Sequence, residues 1–193
     1  MGPITGADAL IVVDVQRDFL PGGALAVPGG DAVVAPLNAW IERFAAADAP
    51  IRVTRDWHPV DHCSFKAQGG PWPPHCVAGT PGAEFAEGLR LPGRYQVISK
   101  ATSQANDAYS DFEGTDLAAE LRSHGVRRVW VGGLATEYCV RATVLDAIRN
   151  GFEAHVLVPA VRAIDVEPGD GQRALEEMRS AGALLEVGAA GPP

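Results

Sequence analysis

Arg128-Val129-Trp130-Val131-Gly132-Gly133-Leu134-Ala135-Thr136-Glu137-Tyr138-Cys139-Val140 carries a short apolar run into a glycine pair and then into a helical pattern, with Val140, Val144 and Ile148 four residues apart. A run too short for a helix, followed at once by one, is the strand–turn–helix half of a parallel crossover unit. The pattern repeats outward in both directions. Further apolar runs stand at 9–13, 51–54, 95–99, 154–158 and 184–187. Between them Val33, Leu37, Trp40, Ile41 and Phe44 mark one helix face, Leu117 pairs with Leu121, and Leu175 pairs with Met178. Gly125, Gly151 and Gly182 stand where these helices should stop. Strands apolar on both faces and separated by helices require a sheet covered on both sides. The expected fold is therefore α/β: a three-layer α/β/α arrangement around a mostly parallel six-stranded sheet.

The chain's 193 residues suffice for one ordinary domain and fall short of two at about 150 each. A single domain over 1–193 is expected, with its core at about 10–187. Acidic residues outnumber basic ones by 24 to 16, for a net charge of −8, and no basic cluster exceeds a pair. Nucleic-acid phosphates have no electrostatic footprint here. The longest unbroken apolar run, 9–13, is far below the roughly 18 residues of a membrane span. No basic stretch precedes an apolar one near the start, and Gly6 breaks the myristoylation pattern. Three cysteines, Cys63, Cys76 and Cys139, are too few for a disulfide scaffold. These features predict a soluble, cytoplasmic protein with thiols to explain.

Two stretches interrupt the alternation. Segment 21–30 reads as a turn-rich loop, and segment 56–82 has five prolines and no sustained periodicity. A structureless segment of that length inside a domain is usually functional; this one holds three of the five histidines and two of the three cysteines. The glycine-, alanine- and proline-rich end, 188–193, reads as a frayed tail.

Ligands of open α/β sheets bind beyond the carboxyl ends of the strands. Asp14 follows the run 9–13, Asp56 lies just past 51–54, Lys100 follows 95–99, and the glycine pair after 128–131 leads to Cys139. Four strands thus bring two acids, a lysine and a thiol to one edge. With Thr136 as N-cap, Cys139 falls at the third helical position, where unpaired N–H groups and the helix dipole favour a thiolate and can receive an oxyanion. A free cysteine is more often a small buried hydrophobe; the company at this edge reverses that reading. Asp14 is placed to shuttle a proton, with Lys100 holding its charge; the alternative is a structural ion pair. Asp56 and His58 point the same way in extended chain, and His75 supplies a third ligand from the loop's far end. One carboxylate and two imidazoles suit one divalent ion, zinc first, with iron or manganese as alternatives. His62 is open as a fourth ligand or a supporting group. Cys63 and Cys76 are open as ligands in principle, although thiolates there would make a closed structural site. His124 and His155 fall at surface or strand positions with no evident partner.

At these residues the chain resembles the nicotinamidases of the isochorismatase-like cysteine hydrolase family. The matching stretches are Val12-Val13-Asp14-Val15-Gln16-Arg17-Asp18-Phe19, Gly22-Gly23-Ala24-Leu25-Ala26-Val27-Pro28-Gly29, Arg55-Asp56-Trp57-His58-Pro59, Trp72-Pro73-Pro74-His75-Cys76-Val77, Lys100, Asp107-Ala108-Tyr109-Ser110-Asp111-Phe112, and the segment around Cys139. The resemblance runs from about Leu10 to Val187 and implies the isochorismatase-like hydrolase fold. It further implies that Cys139 attacks the carboxamide carbon of nicotinamide, with Asp14 as proton carrier and Lys100 in support. Ammonia leaves, and water converts the thioester to nicotinate, in NAD salvage. Related pyrazinamide-like carboxamides are implied as further substrates. It implies a cis peptide between Leu134 and Ala135, with the N–H groups of Ala135 and Cys139 forming the oxyanion hole. Asp56, His58 and His75 are implied as ligands of a divalent metal that holds the ring nitrogen, and Phe19, Trp72 and Tyr109 as walls around the ring. Ala101 departs from the family's usual glycine after the lysine, and Glu137 from its commoner aspartate.

Two other readings stay on the table. A sister amidase would use the same thiol on a carbamoyl compound, which gives a metal no ring nitrogen to hold. A catalytically dead binding module would be expected to have lost Asp14, Lys100 or Cys139. The expected partner is a small molecule, without nucleic acid or membrane, and an exposed apolar surface leaves room for a homo-oligomer.

Overall fold

In the computed structural model, which describes residues 2–188, the first strand, β1 (Asp8–Val13), is buried along its whole length. Segment 189–193 of the expected tail lies outside the described residues. The alternation of β1 divides two cores. Leu10 and Val12 join Leu37, Trp40, Ile41 and Phe44 of helix α1 (Val34–Ala46). Ala9, Ile11 and Val13 join the opposite core. There they meet Leu117 and Leu121 of α2 (Leu117–Ser123), Val144 and Ala147 of α3 (Arg141–Arg149), and Met178 of α4 (Asp170–Ser180). A strand with two apolar faces needs a helix on each, and this is the physical origin of the three layers.

The other strands are β2 (Ile51–Asp56), β3 (Gln96–Lys100), β4 (Arg128–Leu134), β5 (Glu153–Arg162) and β6 (Leu184–Glu186). They form one six-stranded sheet in the order β3-β2-β1-β4-β5-β6. Every pairing is parallel, so the expected mostly parallel sheet is entirely parallel among the described residues. The chain moves outward from β1 on one side and restarts beside β1 with β4. Between these two strands lies the switch point where ligands bind in such sheets.

Several strands outlast their apolar runs. β2 ends on Asp56 and β3 on Lys100, and these two residues face each other in register. A polar residue stays in the ladder here because its neighbour supplies the opposite charge. β4 continues through its glycines, with Val12 opposite Gly132 and Val13 opposite Gly133. β5 runs through Pro159, and its register against β4 shifts between Val131 and Gly133, as expected where a residue without an N–H interrupts the ladder. Segment 56–82 contains the 3₁₀ turn Lys66–Gln68 and isolated bridges His58–Val77 and Phe65–Trp72, and ends at a second such turn, Pro81–Ala83. It is tied to the sheet by Gln16, whose Nε2 donates to Asp56 O (2.8 Å) and Ala83 O (3.0 Å), while Asp56 N donates to Gln16 Oε1 (2.8 Å).

Gly133 shows how tightly the switch point is built. Its φ is +136°, and an added Cβ would land on the carbonyl of Val13. Gly133→Ala is expected to cost at least about 2 kcal/mol from backbone strain and overpacking, or about 4–8 °C of melting temperature for a chain of this size. An unchanged melting curve would show that β1 and β4 can separate here without penalty.

Candidate active site

The strand order places the edge residues side by side in space: Lys100 on β3, Asp56 on β2, Asp14 just after β1, and Cys139 beyond β4. All four are buried. Lys100 Nζ donates to Asp14 Oδ2 and to Asp56 Oδ1, the latter at 2.7 Å, and stands 3.7 Å from Asp111 Oδ1. Thr54, one turn of the pleat before Asp56, donates its hydroxyl to Asp14 Oδ1 at 3.0 Å. Cys139 Sγ, a carboxylate oxygen of Asp14 and one of Asp56 all lie within 4.8 Å of one another. The predicted acid, lysine and thiol therefore meet in one cluster.

Burial sets the protonation of this cluster. It works against the charge on Lys100, yet Asp14 and Asp56 more than compensate and hold the ammonium well above its ordinary pKa. Burial also opposes ionised Asp56, and Lys100 with His58 overcomes it, leaving that carboxyl below its usual range. Asp14 is raised, because burial outweighs the help from Lys100 and Asp56 repels it. The Cys139 thiol is pushed well above its ordinary value by burial, with Lys100 opposing and the carboxylates of Asp14, Asp56 and Asp111 adding to the rise. That direction runs against the thiolate expected from sequence. The helix geometry also differs: Ala135 is the N-cap, and Thr136–Val140 form a π-helical turn ahead of α3, with Val140 N bonded to Ala135 O at 3.2 Å. Cys139 sits inside that wide turn rather than at the third position of an α-helix. The peptide between Leu134 and Ala135 is cis, and Ala135 and Cys139 are both buried.

Beside the cluster, one ligand atom each from Asp56, His58 and His75 lie within 4.8 Å of one another. His58 Nδ1 pairs with Ala101 O (3.2 Å) and His75 Nδ1 with Pro73 O (2.8 Å). Backbone carbonyls thus take one nitrogen of each ring, leaving Nε2 on the inner side, the usual support of imidazole ligands; His58 Nε2 is 3.7 Å from Asp56 Oδ2. Burial lowers His75, which favours the neutral ring a metal needs, whereas Asp56 overrides burial and raises His58. This donor set fits a divalent cation. His62 is not part of it: Nδ1 pairs with Ser64 Oγ (2.8 Å), Nε2 with Asn106 O (3.1 Å), and its ring stacks on His58 at 4.2 Å. Neither Cys63 nor Cys76 joins the group.

The aromatic residues divide. Trp72 Nε1 donates to Tyr109 Oη at 3.0 Å, and both rings pack on Tyr138, at 5.2 and 5.7 Å between centroids. Phe19 stands apart from these, 5.6 Å from the His75 ring. Tyr138 received no role from sequence, although its place beside Cys139 is a usable signal. Asp111, Thr54 and Gln16 were also missed, because nothing in a linear pattern says which polar residue will be sealed against Lys100 or Asp56. His155, expected without partners, lies between Glu186 (2.8 Å) and Glu153 (2.9 Å) and stacks on Trp130 at 4.0 Å; parallel pairing of β4, β5 and β6 brings these together. His124 likewise has a partner, the Glu120 carbonyl at 2.9 Å.

Residues 8–187 match the isochorismatase domain. The chain belongs to the isochorismatase family. Among its relatives, the nicotinamidase/pyrazinamidase of Mycobacterium tuberculosis is 42% identical, covering 92% of this chain and 97% of that one. The pyrazinamidase of Pyrococcus horikoshii, solved in complex with zinc, is 56% identical with a TM-score of 0.90, covering 93% and 98% of the two chains. PnC1 from L. infantum, solved in complex with nicotinate, is 38% identical with a TM-score of 0.87 and covers 96% and 95%.

Removing the cation from this family site should expose how much it holds together. Lys100→Met leaves Asp14 and Asp56 buried without the ammonium that pairs with both, which costs about 3–5 kcal/mol. Their folded-state pKa values then lie above the unfolded ones, so the variant is most stable in acid and loses stability as pH rises. Melting curves of the metal-free protein at about pH 5 and pH 8 test this; a deficit that grows on acidification contradicts it.

Proposed function

We propose that this chain is a metal-dependent cysteine amidohydrolase that converts nicotinamide to nicotinate and ammonia, with pyrazinamide-like ring carboxamides as further substrates. The observation that carries the reading is the adjacency of two centres: the buried Asp14–Lys100–Cys139 cluster, and the Asp56–His58–His75 group that shares Asp56 with Lys100. The first suits acyl transfer and the second suits holding a ring nitrogen. The relatives' activities and ligands point the same way.

Cys139 is the nucleophile in this reading. Its thiol is neutral at rest, so attack on the carboxamide carbon is coupled to proton transfer to Asp14, whose raised pKa makes it a capable base. Lys100 keeps Asp14 oriented and charged until that moment. The N–H groups of Ala135 and Cys139 receive the oxyanion. Asp14 then returns the proton to the departing ammonia, and the same carboxylate activates the water that hydrolyses the thioester. Asp56, His58 and His75 are the residues that would hold the metal, zinc first, and the ion when bound supplies a Lewis acid for the pyridine nitrogen. Phe19, Trp72 and Tyr109 line the ring, and Tyr138 joins them. This division separates positioning from bond-making, which is how bound substrate reaches a reactive geometry.

The reading places the enzyme in the cytoplasm as one domain acting on a small molecule, alone or as a homo-oligomer, in NAD salvage. The net charge of −8 supports the absence of a nucleic-acid partner. No helix among the described residues is long and apolar enough to cross a membrane.

The first test is ammonia release from nicotinamide, before and after chelation. Release that is lost with the chelator and restored by a divalent ion is expected; none from metal-loaded protein would favour a carbamoyl substrate instead. Cys139→Ala should lower turnover by at least about 1,000-fold while keeping metal content. Residual turnover within about tenfold of wild type would remove Cys139 from the nucleophile's role. His58→Ala should lose bound metal and raise KM, and an unchanged metal stoichiometry would place the ion elsewhere.

A further inference from the structure

Lys100 is surrounded by three acids, and the reaction as described uses only two of them. Asp111 lies on the loop between β3 and α2, fully buried. Its backbone is clamped, the N–H donating to Thr143 Oγ1 of α3 (3.0 Å) and the carbonyl accepting from Thr115 Oγ1 (2.6 Å). Its side chain is treated differently. Neither carboxyl oxygen makes a hydrogen bond, although Oδ1 is 3.7 Å from Lys100 Nζ. The nearby Thr54 hydroxyl, which donates to Asp14 Oδ1 at 3.0 Å, favours with Lys100 the ionised form of Asp111.

Charge counting favours the neutral acid. Facing Asp111 are Lys100 from β3, Asp14 from β1, Asp56 from β2 and the Cys139 thiol from the turn after β4, while α3 contributes the uncharged Thr143. With Asp56 assigned to the metal-holding group, the one ammonium still faces both Asp14 and Asp111, and like charges this close do not both ionise.

We propose that Asp111 is a positioning residue that acts through Lys100: as a neutral acid it leaves the ammonium to Asp14, and once ionised it competes for that ammonium and ends productive turnover on the alkaline side. The inference rests on the amide-hydrolysis reading above. Burial is the main force holding its proton, with Lys100 and the Thr54 hydroxyl opposing and Asp14 and Asp56 reinforcing, and the carboxyl is raised to about 8. Below that pH the cluster carries one negative charge fewer. Above it, a new anion sits against the atoms where the thiol must give up its proton and negative charge must develop.

The test is the pH profile of kcat/KM for nicotinamide with metal-loaded wild type and Asp111→Asn, which keeps the shape and cannot ionise. Wild type is expected to lose activity through an ionisation near 8, and Asp111→Asn to lack that limb or to have it displaced upward by at least about one unit, a tenfold difference in proton affinity. A residue that merely fills space would leave the profile's shape unchanged. Superimposable profiles, or a wild type without an ionisation in that region, overturn the proposal. A second measurement is independent of turnover. Infrared difference spectra of wild type should show a neutral carboxylic-acid carbonyl band that vanishes near pH 8 and is missing from Asp111→Asn, or from Asp111→Ala if the first variant does not fold. No such band overturns the proposal even if nicotinamide proves not to be the substrate; the band present without nicotinamide turnover faults the substrate assignment alone.

Discussion

One buried ammonium holds the carboxyl edge of this sheet together. Lys100 ends β3, Asp56 ends β2 and Asp14 follows β1, so the ion pairs run across three neighbouring strands. None of the three is stable alone at full burial, since an unpaired charge removed from water costs several kcal/mol. Together they let two strands carry polar residues to their last ladder positions. They also fix the place from which Cys139 is reached, because β4 pairs with β1 along its length up to Val13 and Gly133.

The same cluster decides the chemistry of the thiol. Helix-end fields that lower a cysteine pKa work best where solvent and cations are near. Here Cys139 is buried among acids, and a single cation does not offset them. A neutral thiol beside a carboxyl of raised pKa is consistent with the proposed reaction, in which the proton has somewhere to go when carbon–sulfur bonding begins and is available again for a poor leaving group such as an amine. The π-helical turn serves this geometry by holding Cys139 in a wide loop of backbone between a β-strand and a regular helix.

Much of this was legible in the sequence, for physical reasons that vary by residue. The sheet was readable because 9–13 is apolar without interruption and the helices carry one-faced stripes such as Leu37–Trp40–Ile41–Phe44. Asp14, Asp56, Lys100 and Cys139 were readable because strand ends in such sheets point to one edge. The strand ends themselves were set too early, since an apolar run stops at the first charge while the ladder continues wherever a neighbour neutralises it. Helix register at Cys139 was misjudged because Thr136 looks like an N-cap, whereas the cap is Ala135. Tyr138, Thr54 and Asp111 had no reading, since their importance comes from contacts across sequence separations that no local pattern encodes: Tyr138 meets Trp72, Thr54 meets Asp14, and Asp111 meets Lys100.

The two positions expected from the resemblance to depart from the family pattern, Ala101 and Glu137, can be judged from where they fall. Ala101 has φ +50°, a left-handed conformation that costs an alanine about 1–2 kcal/mol more than a glycine. What the site takes from this position is its carbonyl, which orients His58 Nδ1 at 3.2 Å, and a methyl group does not remove that acceptor. Glu137 reaches from the π-helical turn to the chain after β5, its Oε1 accepting from Ile164 N and Asp165 N at 2.8 Å each. A shorter acid would need the turn to approach that chain, so the extra methylene and the present spacing belong together. Both positions therefore touch the backbone that aims the groups of the proposed reaction, at Ala101 beside Lys100 and at Glu137 two residues before Cys139, while the groups themselves are unchanged. Such changes adjust rate through alignment, and they leave the kind of chemistry to the acid, the cation and the thiol.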